Sequence, residues 1–201
     1  MATLADLLTD IKGVARLVPD FILKQSLVNI AREFFQETEA WNVNSEVLFL
    51  RGLDSVEVDI PKGADLYRVV WLTAGENELT PIAERDFYTL KPMDGRPVRF
   101  AETLDGLRVH PTPIEQMTGK LNAVYYPRAI DAAIPDKLIG LFRTTLADGT
   151  IANLLMQETE WGNASKGQYY YNRYLAGLER ASRRAFREKG NVVGVTVYGG
   201  Y

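Results

Sequence analysis

The hydrophobic residues of this 201-residue chain change their spacing twice, and this change constrains the fold more than any other feature. Near both ends they recur every three to four positions, as in amphipathic helices, whereas in the middle they alternate, as in half-buried strands. This order predicts an α+β fold, in which N- and C-terminal helices form a bundle around an inserted antiparallel β subdomain. We predict a helical bundle from residues 1–43 and 131–190, a β-rich insertion over 44–130, and an extended C-terminal arm over 191–201.

Two helices are predicted in the N-terminal part. The first covers residues 3–13, with Thr3 as its cap and Gly13 after its last turn. The second runs from Asp20 to about Ala40 and should bury one face. The apolar residues of that face are Ile22, Leu23, Leu27, Ile30, Ala31, Phe34, Phe35 and Trp41.

The middle of the chain reads as short strands separated by glycine and proline turns. The predicted strands cover residues 46–50, 55–60, 66–72, 97–102, 107–111 and 120–126. A short helix is predicted over residues 83–90. Asp105–Gly106, between two strand-like segments, is the strongest hairpin signal in the chain.

Two further helices are predicted after the strands. Pro135 begins a helix whose apolar residues cover more than half of its circumference, so it should be packed on two sides. Gly149 lies inside this helix, where glycine costs about 1 kcal/mol relative to alanine, and we expect another backbone to approach it closely. The pattern breaks at residues 161–163. The last helix should cover 164–189 and end at Gly190.

The amino-acid composition gives no indication of a catalytic site. The chain has no cysteine and a single histidine, His110, so a metal cluster or a nucleophile–histidine pair is not expected. Gly162 and Gly167 have the spacing of a phosphate loop but lack the following Lys-Ser/Thr. We therefore expect no catalytic residue, no metal and no cofactor. The N-terminus lacks a basic signal-peptide region and no apolar run reaches the ~20 residues of a membrane span, so we expect no membrane association.

One side of the last predicted helix is rich in arginine. The residues are Arg173, Arg180, Arg183, Arg184 and Arg187. They could form an ordinary solvated face supported by local pairs with Glu179 and Glu188. They could equally bind an acidic protein partner or DNA phosphates. The net charge of −3 disfavours a dedicated DNA-binding domain.

The segment 191–201 is uncharged and β-prone. Val193, Val195 and Val197 alternate onto one face of a strand, and Tyr198 lies on the other. The segment could pair with the sheet of its own chain or be donated to another subunit. In the second case, the partner-binding residues would be Val193, Val195, Val197, Tyr198 and Tyr201.

The order of these elements, together with several short phrases, resembles the head-to-tail adaptor subunits of short-tailed bacteriophages (head-completion, tail tubular protein A-like proteins). The phrases are Leu17–Asp20 opening a helix that ends in Glu33–Phe35 and Ala40–Trp41, Ile134–Leu138 opening the second helical half, Leu154–Met156 with Trp161, and Tyr169–Leu175 before the arginine-rich helix end. The likeness spans nearly the whole chain. The polar joint formed by residues 158–160 and 166–167 departs from it.

The resemblance implies a structural protein made in the host cytoplasm and located in the neck of the virion. It implies a homo-oligomeric ring of roughly twelve copies that binds the portal protein and the tail nozzle protein. DNA would pass through the ring without sequence-specific binding, and the C-terminal segment would reach the portal. The alternatives are another structural tail protein, such as a tail terminator or minor tail protein, and a monomeric DNA-binding module that uses the arginines.

Overall fold

The computed structural model describes residues 3–193 and divides the α+β chain into two compact units. Among the described residues, the helical unit contains those up to Trp41, the short segment Pro61–Asp65, and those from Tyr126 to Val193. The β unit contains Asn42–Ile60 and Leu66–Tyr125. In sequence, the β unit therefore lies between two halves of the helical unit, except that one piece between its two segments belongs to the helical unit.

That piece, Pro61–Asp65, is held in the helical unit by backbone contacts. The amide of Arg128 donates to the carbonyl of Gly63 at 2.8 Å, and the amide of Ala133 donates to the carbonyl of Lys62 at 2.9 Å. Gly63 has a φ of +71°, and a Cβ built on it would lie 2.9 Å from Cα of Ala132. Glycine is therefore required here both by the backbone conformation and by the close approach.

The described chain contains one 3₁₀ turn and five α-helices. They are a 3₁₀ turn at Leu4–Leu7, α1 at Leu8–Val14, α2 at Asp20–Thr38, α3 at Glu84–Phe87, α4 at Asp136–Leu155 and α5 at Ala164–Val193. Pro19 and Pro135 precede α2 and α4 with extended backbones. Proline has no N–H group, and its ring clashes with the carbonyl of residue i−4, so a helix rarely extends to the N-terminal side of a proline. Within residues 3–193, every helix is either too short or too polar to cross a lipid bilayer.

The predicted end of α5 at Gly190 is wrong, because the helix continues to Val193. A glycine lowers helix propensity by about 1 kcal/mol but ends a helix only when it adopts a left-handed conformation. Residues 191–193, predicted to begin the extended arm, thus belong to α5. Residues 194–201 lie outside the described part of the chain.

The core of the helical unit lies where α4 packs against α1, α2 and α5. The ring of Phe34 lies 5.0 Å from that of Phe142 between centroids, and Phe35 packs edge-on against Trp41 at 5.7 Å. The predicted apolar face of α2 is buried from Leu23 to Phe35. Truncation of such buried aromatic residues typically costs about 3–5 kcal/mol, so these contacts dominate the packing energy of the unit.

The strands form two four-stranded sheets and one short pair. They are β1 Asn42–Phe49, β2 Ser55–Val56, β3 Ala64–Ala74, β4 Asn77–Glu78, β5 Thr80–Pro81, β6 Asp94–Gly95, β7 Arg99–Thr103, β8 Gly106–His110, β9 Thr112–Pro113 and β10 Met117–Pro127. The sheet orders are β1-β10-β3-β4 and β2-β8-β7-β5, with β6 paired to β9. The predicted antiparallel pairing holds for β1–β10, β2–β8, β3–β4 and β7–β8, whereas β5–β7 and β6–β9 are parallel.

The predicted hairpin is present, but its loop lies one residue earlier than the sequence signal. Thr103 pairs with Gly106 across β7 and β8, so the two loop residues are Leu104 and Asp105. The φ of +123° at Gly106 explains why glycine is needed at the first position of β8. The strand predicted over 55–60 pairs with β8 only at its first two residues, and Glu57 forms an isolated bridge with Leu48 instead.

Candidate interaction site

The arginine flank of α5, defined as Arg173, Arg180, Arg183, Arg184 and Arg187, is exposed along its whole length. Arg173 differs from the others because its Nε lies 3.0 Å from Oδ2 of Asp148, whose side chain is only 8% exposed. Its guanidinium also lies 5.6 and 5.7 Å from the ring centroids of Tyr169 and Tyr170. Burial raises the pKa of Asp148, and the positive charge of Arg173 opposes that shift. Arg173 therefore compensates a buried charge within its own unit.

Two of the other arginines, Arg180 and Arg183, interact within their own helix. Nη2 of Arg183 lies 2.5 Å from Oε1 of Glu179, which is the predicted local pair. Nε of Arg180 donates to the carbonyl of Ala176 at 3.1 Å. Exposed pairs of this kind are worth about 0–1 kcal/mol, so these guanidinium groups can exchange their contacts for a partner at small cost.

The predicted strand arm cannot be placed against either unit. Val193 is the last residue of α5. Val195, Val197, Tyr198 and Tyr201 lie outside the described residues. Whether the segment pairs within its own chain or with a partner therefore stays a prediction.

The buried face of α5 is narrower than its apolar pattern predicts. Tyr174, Gly177 and Ala181 are buried, whereas the neighbouring apolar residues Tyr171 and Leu175 are exposed. A Cβ on Gly177 would lie 2.5 Å from the side chain of Thr145, so the glycine lets α5 approach α4 closely. At 100° per residue, Tyr171 lies about 60° and Leu175 about 100° from Tyr174 at the edge of the buried strip, so both stay outside it.

A second exposed side of α5, which we call the α5 apolar flank, lies away from the arginines. Its members are Tyr171, Leu175 and Phe186. At 100° per residue they fall within about 60° of one another on the helix. The flank combines aromatic and aliphatic surface with no charge of its own.

A cavity of about 370 Å³ opens beside this flank, between α2, α4 and α5. Its lining residues are Ile30, Glu33, Gly149, Asn153, Met156, Gln157, Tyr171 and Tyr174. Gly149 faces side chains here, which corrects the expectation of a neighbouring backbone: a Cβ on it would lie 2.6 Å from the ring of Tyr174 and 2.9 Å from Cγ2 of Ile30. The glycine thus creates the space in which the tyrosine ring lies.

The hydroxyl of Tyr174, a residue that lines the cavity, is buried beside it rather than exposed to it. It is buried and has no hydrogen-bond partner among the described residues. Burial raises its pKa, and the carboxylates of Glu33 and Glu37 raise it further. Burial also raises the pKa of Glu33, with a smaller contribution from Glu37. Sequence reasoning did not identify these residues; the glycine inside α4 was the only signal that pointed to them.

Exposed apolar side chains also gather away from α5. In the helical unit, Leu17 and Phe21 are 76% and 69% exposed at the start of α2. In the β unit, backbone hydrogen bonds bring three chain segments together. The amide of Gly52 donates to the carbonyl of Pro113 at 2.8 Å, and the amide of Thr112 donates to the carbonyl of Met93 at 2.9 Å. Exposed apolar side chains lie on or next to these segments. The residues of this β-unit patch are Leu50, Leu53, Met93 and Ile114.

The described residues hold no group of three or more acidic, histidine or cysteine side chains that could bind a metal ion. His110, at the end of β8, makes one contact of 3.0 Å from Nε2 to the carbonyl of Lys91. This is a structural contact where a strand meets a loop.

No protein-family model matches the chain, and no curated protein matches it either. The surfaces of the chain itself are therefore the basis for proposing its function.

Proposed function

We propose that the chain is a structural subunit of a phage neck, forming a ring that joins the portal to the tail nozzle and continues the DNA channel. The observation that carries the structural role is the presence of separate exposed apolar surfaces on both units. Monomeric proteins rarely expose contiguous apolar patches unless these bind something. The assignment to a phage neck comes from the order of elements and the phrases described above.

Three surfaces support contacts with more than one neighbour. The N-terminal pair, Leu17 and Phe21, and the α5 apolar flank belong to the helical unit, whereas the β-unit patch belongs to the other unit. A ring subunit needs two different surfaces for its two neighbours, because a rotational ring is built from head-to-tail contacts. It needs further surfaces for the proteins above and below the ring.

The charge distribution is consistent with a channel through which DNA slides. The net charge is −3, and Arg173 and Arg183 pair with carboxylates. Affinity for DNA grows with the number of phosphates that cationic groups neutralise, so the net negative charge and the engagement of Arg173 by Asp148 both limit retention. In this proposal the C-terminal segment binds the portal, and the virion neck is the location.

We expect the isolated protein to be a monomer or a weak oligomer that becomes a ring when purified portal is added. The whole chain has enough buried core to fold without partners, and we expect the portal to act as the template on which the exposed apolar surfaces are covered. Native mass spectrometry with and without portal measures this. A chain ending at Val193 should stay folded but dissociate from the portal. A stable dimer that ignores the portal would contradict the proposal.

The exposed arginine flank favours a second candidate, a small DNA-binding module. Replacing Arg180, Arg183 and Arg187 with glutamine should weaken assembly on the portal while changing the melting temperature little, because exposed pairs contribute about 0–1 kcal/mol. The matched control replaces Arg68, Arg85 and Arg99, which are exposed in the β unit and carry the same charge change. Retention of duplex DNA by the wild type, with a steep salt dependence, would favour the DNA-binding alternative.

A further inference from the structure

Two of the exposed apolar surfaces belong to the helical unit, and they lie beside different parts of α2. The N-terminal pair, Leu17 and Phe21, lies at the start of that helix. The α5 apolar flank adjoins its second half, because Tyr171 lines the cavity together with Glu33. Phe21 and Glu33 are 12 residues apart, which is about 18 Å along the helix axis and about 120° around it. The two surfaces are therefore separate, and a contact between them joins two copies head to tail.

The N-terminal pair lies among positive charges. Arg16 directly precedes it and Lys24 follows it within one helical turn, and both of these side chains are exposed. The carboxylate between them, Asp20, already pairs with Lys12 at 2.8 Å. The hydrogen bond and charge of Lys12 lower the pKa of Asp20, and the charge of Lys24 lowers it further. This surface thus combines two exposed apolar side chains with a net positive charge.

The α5 apolar flank has a negatively charged edge on α2. Glu33 and Glu37 lie one turn apart on that helix, and both are exposed. Burial raises the pKa of Glu33, and the charge of Glu37 raises it further, so the two carboxylates lie close enough to repel each other. An approaching cation relieves this repulsion. The flank and the N-terminal pair are therefore both apolar but carry opposite charges at their edges.

The cavity beside the flank offers a depression with apolar walls. Ile30 and Met156 line it together with the ring of Tyr171, and its volume is about 370 Å³. Aromatic side chains that fill such depressions are common anchors of protein interfaces. Phe21, the aromatic member of the N-terminal pair, is 69% exposed and available for this role.

We propose that the N-terminal pair of one copy docks on the α5 apolar flank of a second copy, with Phe21 in the cavity and Arg16 and Lys24 facing Glu33 and Glu37. This contact deepens the proposed function and rests on its ring, because it identifies the surfaces through which adjacent subunits meet. A head-to-tail contact repeats around a ring.

The charges favour this contact over symmetric ones. Two α5 apolar flanks facing each other would bring four glutamates into one interface, and two N-terminal pairs would bring their cations together. Like charges facing each other suppress such pairings. The head-to-tail contact uses few side chains, so it is weak in isolation and gains strength where the portal holds many copies side by side.

Crosslinking tests the contact, because the chain has no cysteine of its own. One population carries Gln25→Cys, exposed on α2 one turn after Phe21, and the other carries Leu175→Cys in the flank. A short bismaleimide added to the mixture on the portal should join one copy of each. The matched control is Leu141→Cys on α4, which is 41% exposed against 42% for Leu175. It should give little or no crosslink to Gln25→Cys.

Further substitutions in the Gln25→Cys population test the anchor and the charges. Phe21→Ala should lower the crosslink yield about tenfold, as expected for an interface anchor, without lowering the melting temperature. Leu104→Ala, which removes an almost fully exposed side chain of the β unit, should leave the yield unchanged. Lys24→Glu should lower the yield about fivefold, and Glu33→Lys in the Leu175→Cys population should restore it.

The outcomes separate this contact from the neck assignment. A ring that forms on the portal without the crosslink between positions 25 and 175 overturns the contact and leaves the neck proposal standing. A crosslink in concentrated protein that does not bind the portal supports the contact and contradicts the neck. Equal yields with Leu175→Cys and Leu141→Cys, or with and without Phe21→Ala, overturn the contact. A chain that neither crosslinks nor assembles on the portal overturns both proposals.

Discussion

Replacing Gly149 with valine is expected to lower the free energy of unfolding of the helical unit by about 3 kcal/mol, at the upper end of overpacking effects. The new Cβ would lie 2.6 Å from the ring of Tyr174 and 2.9 Å from Cγ2 of Ile30, so both must move. Neither can do so easily, because both are buried between helices. Urea denaturation followed by far-UV circular dichroism measures the loss.

Gly140 provides a matched control on the same helix. It is exposed, and a Cβ built there meets nothing within 4 Å. Gly140→Val should therefore change the free energy of unfolding by about 0.5 kcal/mol or less, since valine and glycine differ only modestly in helix propensity. Equal midpoints for the two variants would show that the space around Gly149 is not tightly packed.

The second large effect is expected at the ion pair between Arg173 and Asp148. Arg173→Met keeps most of the aliphatic side chain but leaves the carboxylate of Asp148, only 8% exposed, without its cationic partner. Removing one partner of a fully buried pair costs about 3–5 kcal/mol. Because Arg173 is 43% exposed, solvent screens the pair, and we expect a loss of about 2 kcal/mol.

A double-mutant cycle isolates this interaction. In an Asp148→Asn background, Arg173→Met should cost much less, because no buried charge remains. The pH dependence has a defined sign. Burial raises the folded-state pKa of Asp148 and Arg173 opposes that shift, so Arg173→Met should raise the folded-state pKa further. The penalty is fully present above that folded-state pKa and is lost as the pH falls from it to the unfolded-state pKa. A pH-independent, additive loss would show that Arg173 acts through packing alone.

Local pattern determined the kind and order of the secondary structure. The three-to-four-residue spacing in α2 and α4 and the alternation in β7 and β8 both reflect burial of one face, which the chain encodes over a few turns or residues. Pro19 and Pro135 set helix starts for a steric reason that is independent of tertiary context. The exposure of the five arginines was also predictable, since guanidinium groups are rarely buried without a partner.

Tertiary contacts decided which residues meet across long sequence separations. The pairing of Arg173 with Asp148, the return of Pro61–Asp65 to the helical unit, and the parallel pairings of β5 and β6 have no local signal. The exposure of Tyr171 and Leu175 likewise follows from how closely α4 and α5 approach, which Gly177 and Thr145 set together. The sequence pattern indicates that a side chain is buried but not which residues pack against it. The cavity at Tyr174 could therefore be found only from the packing of the helices.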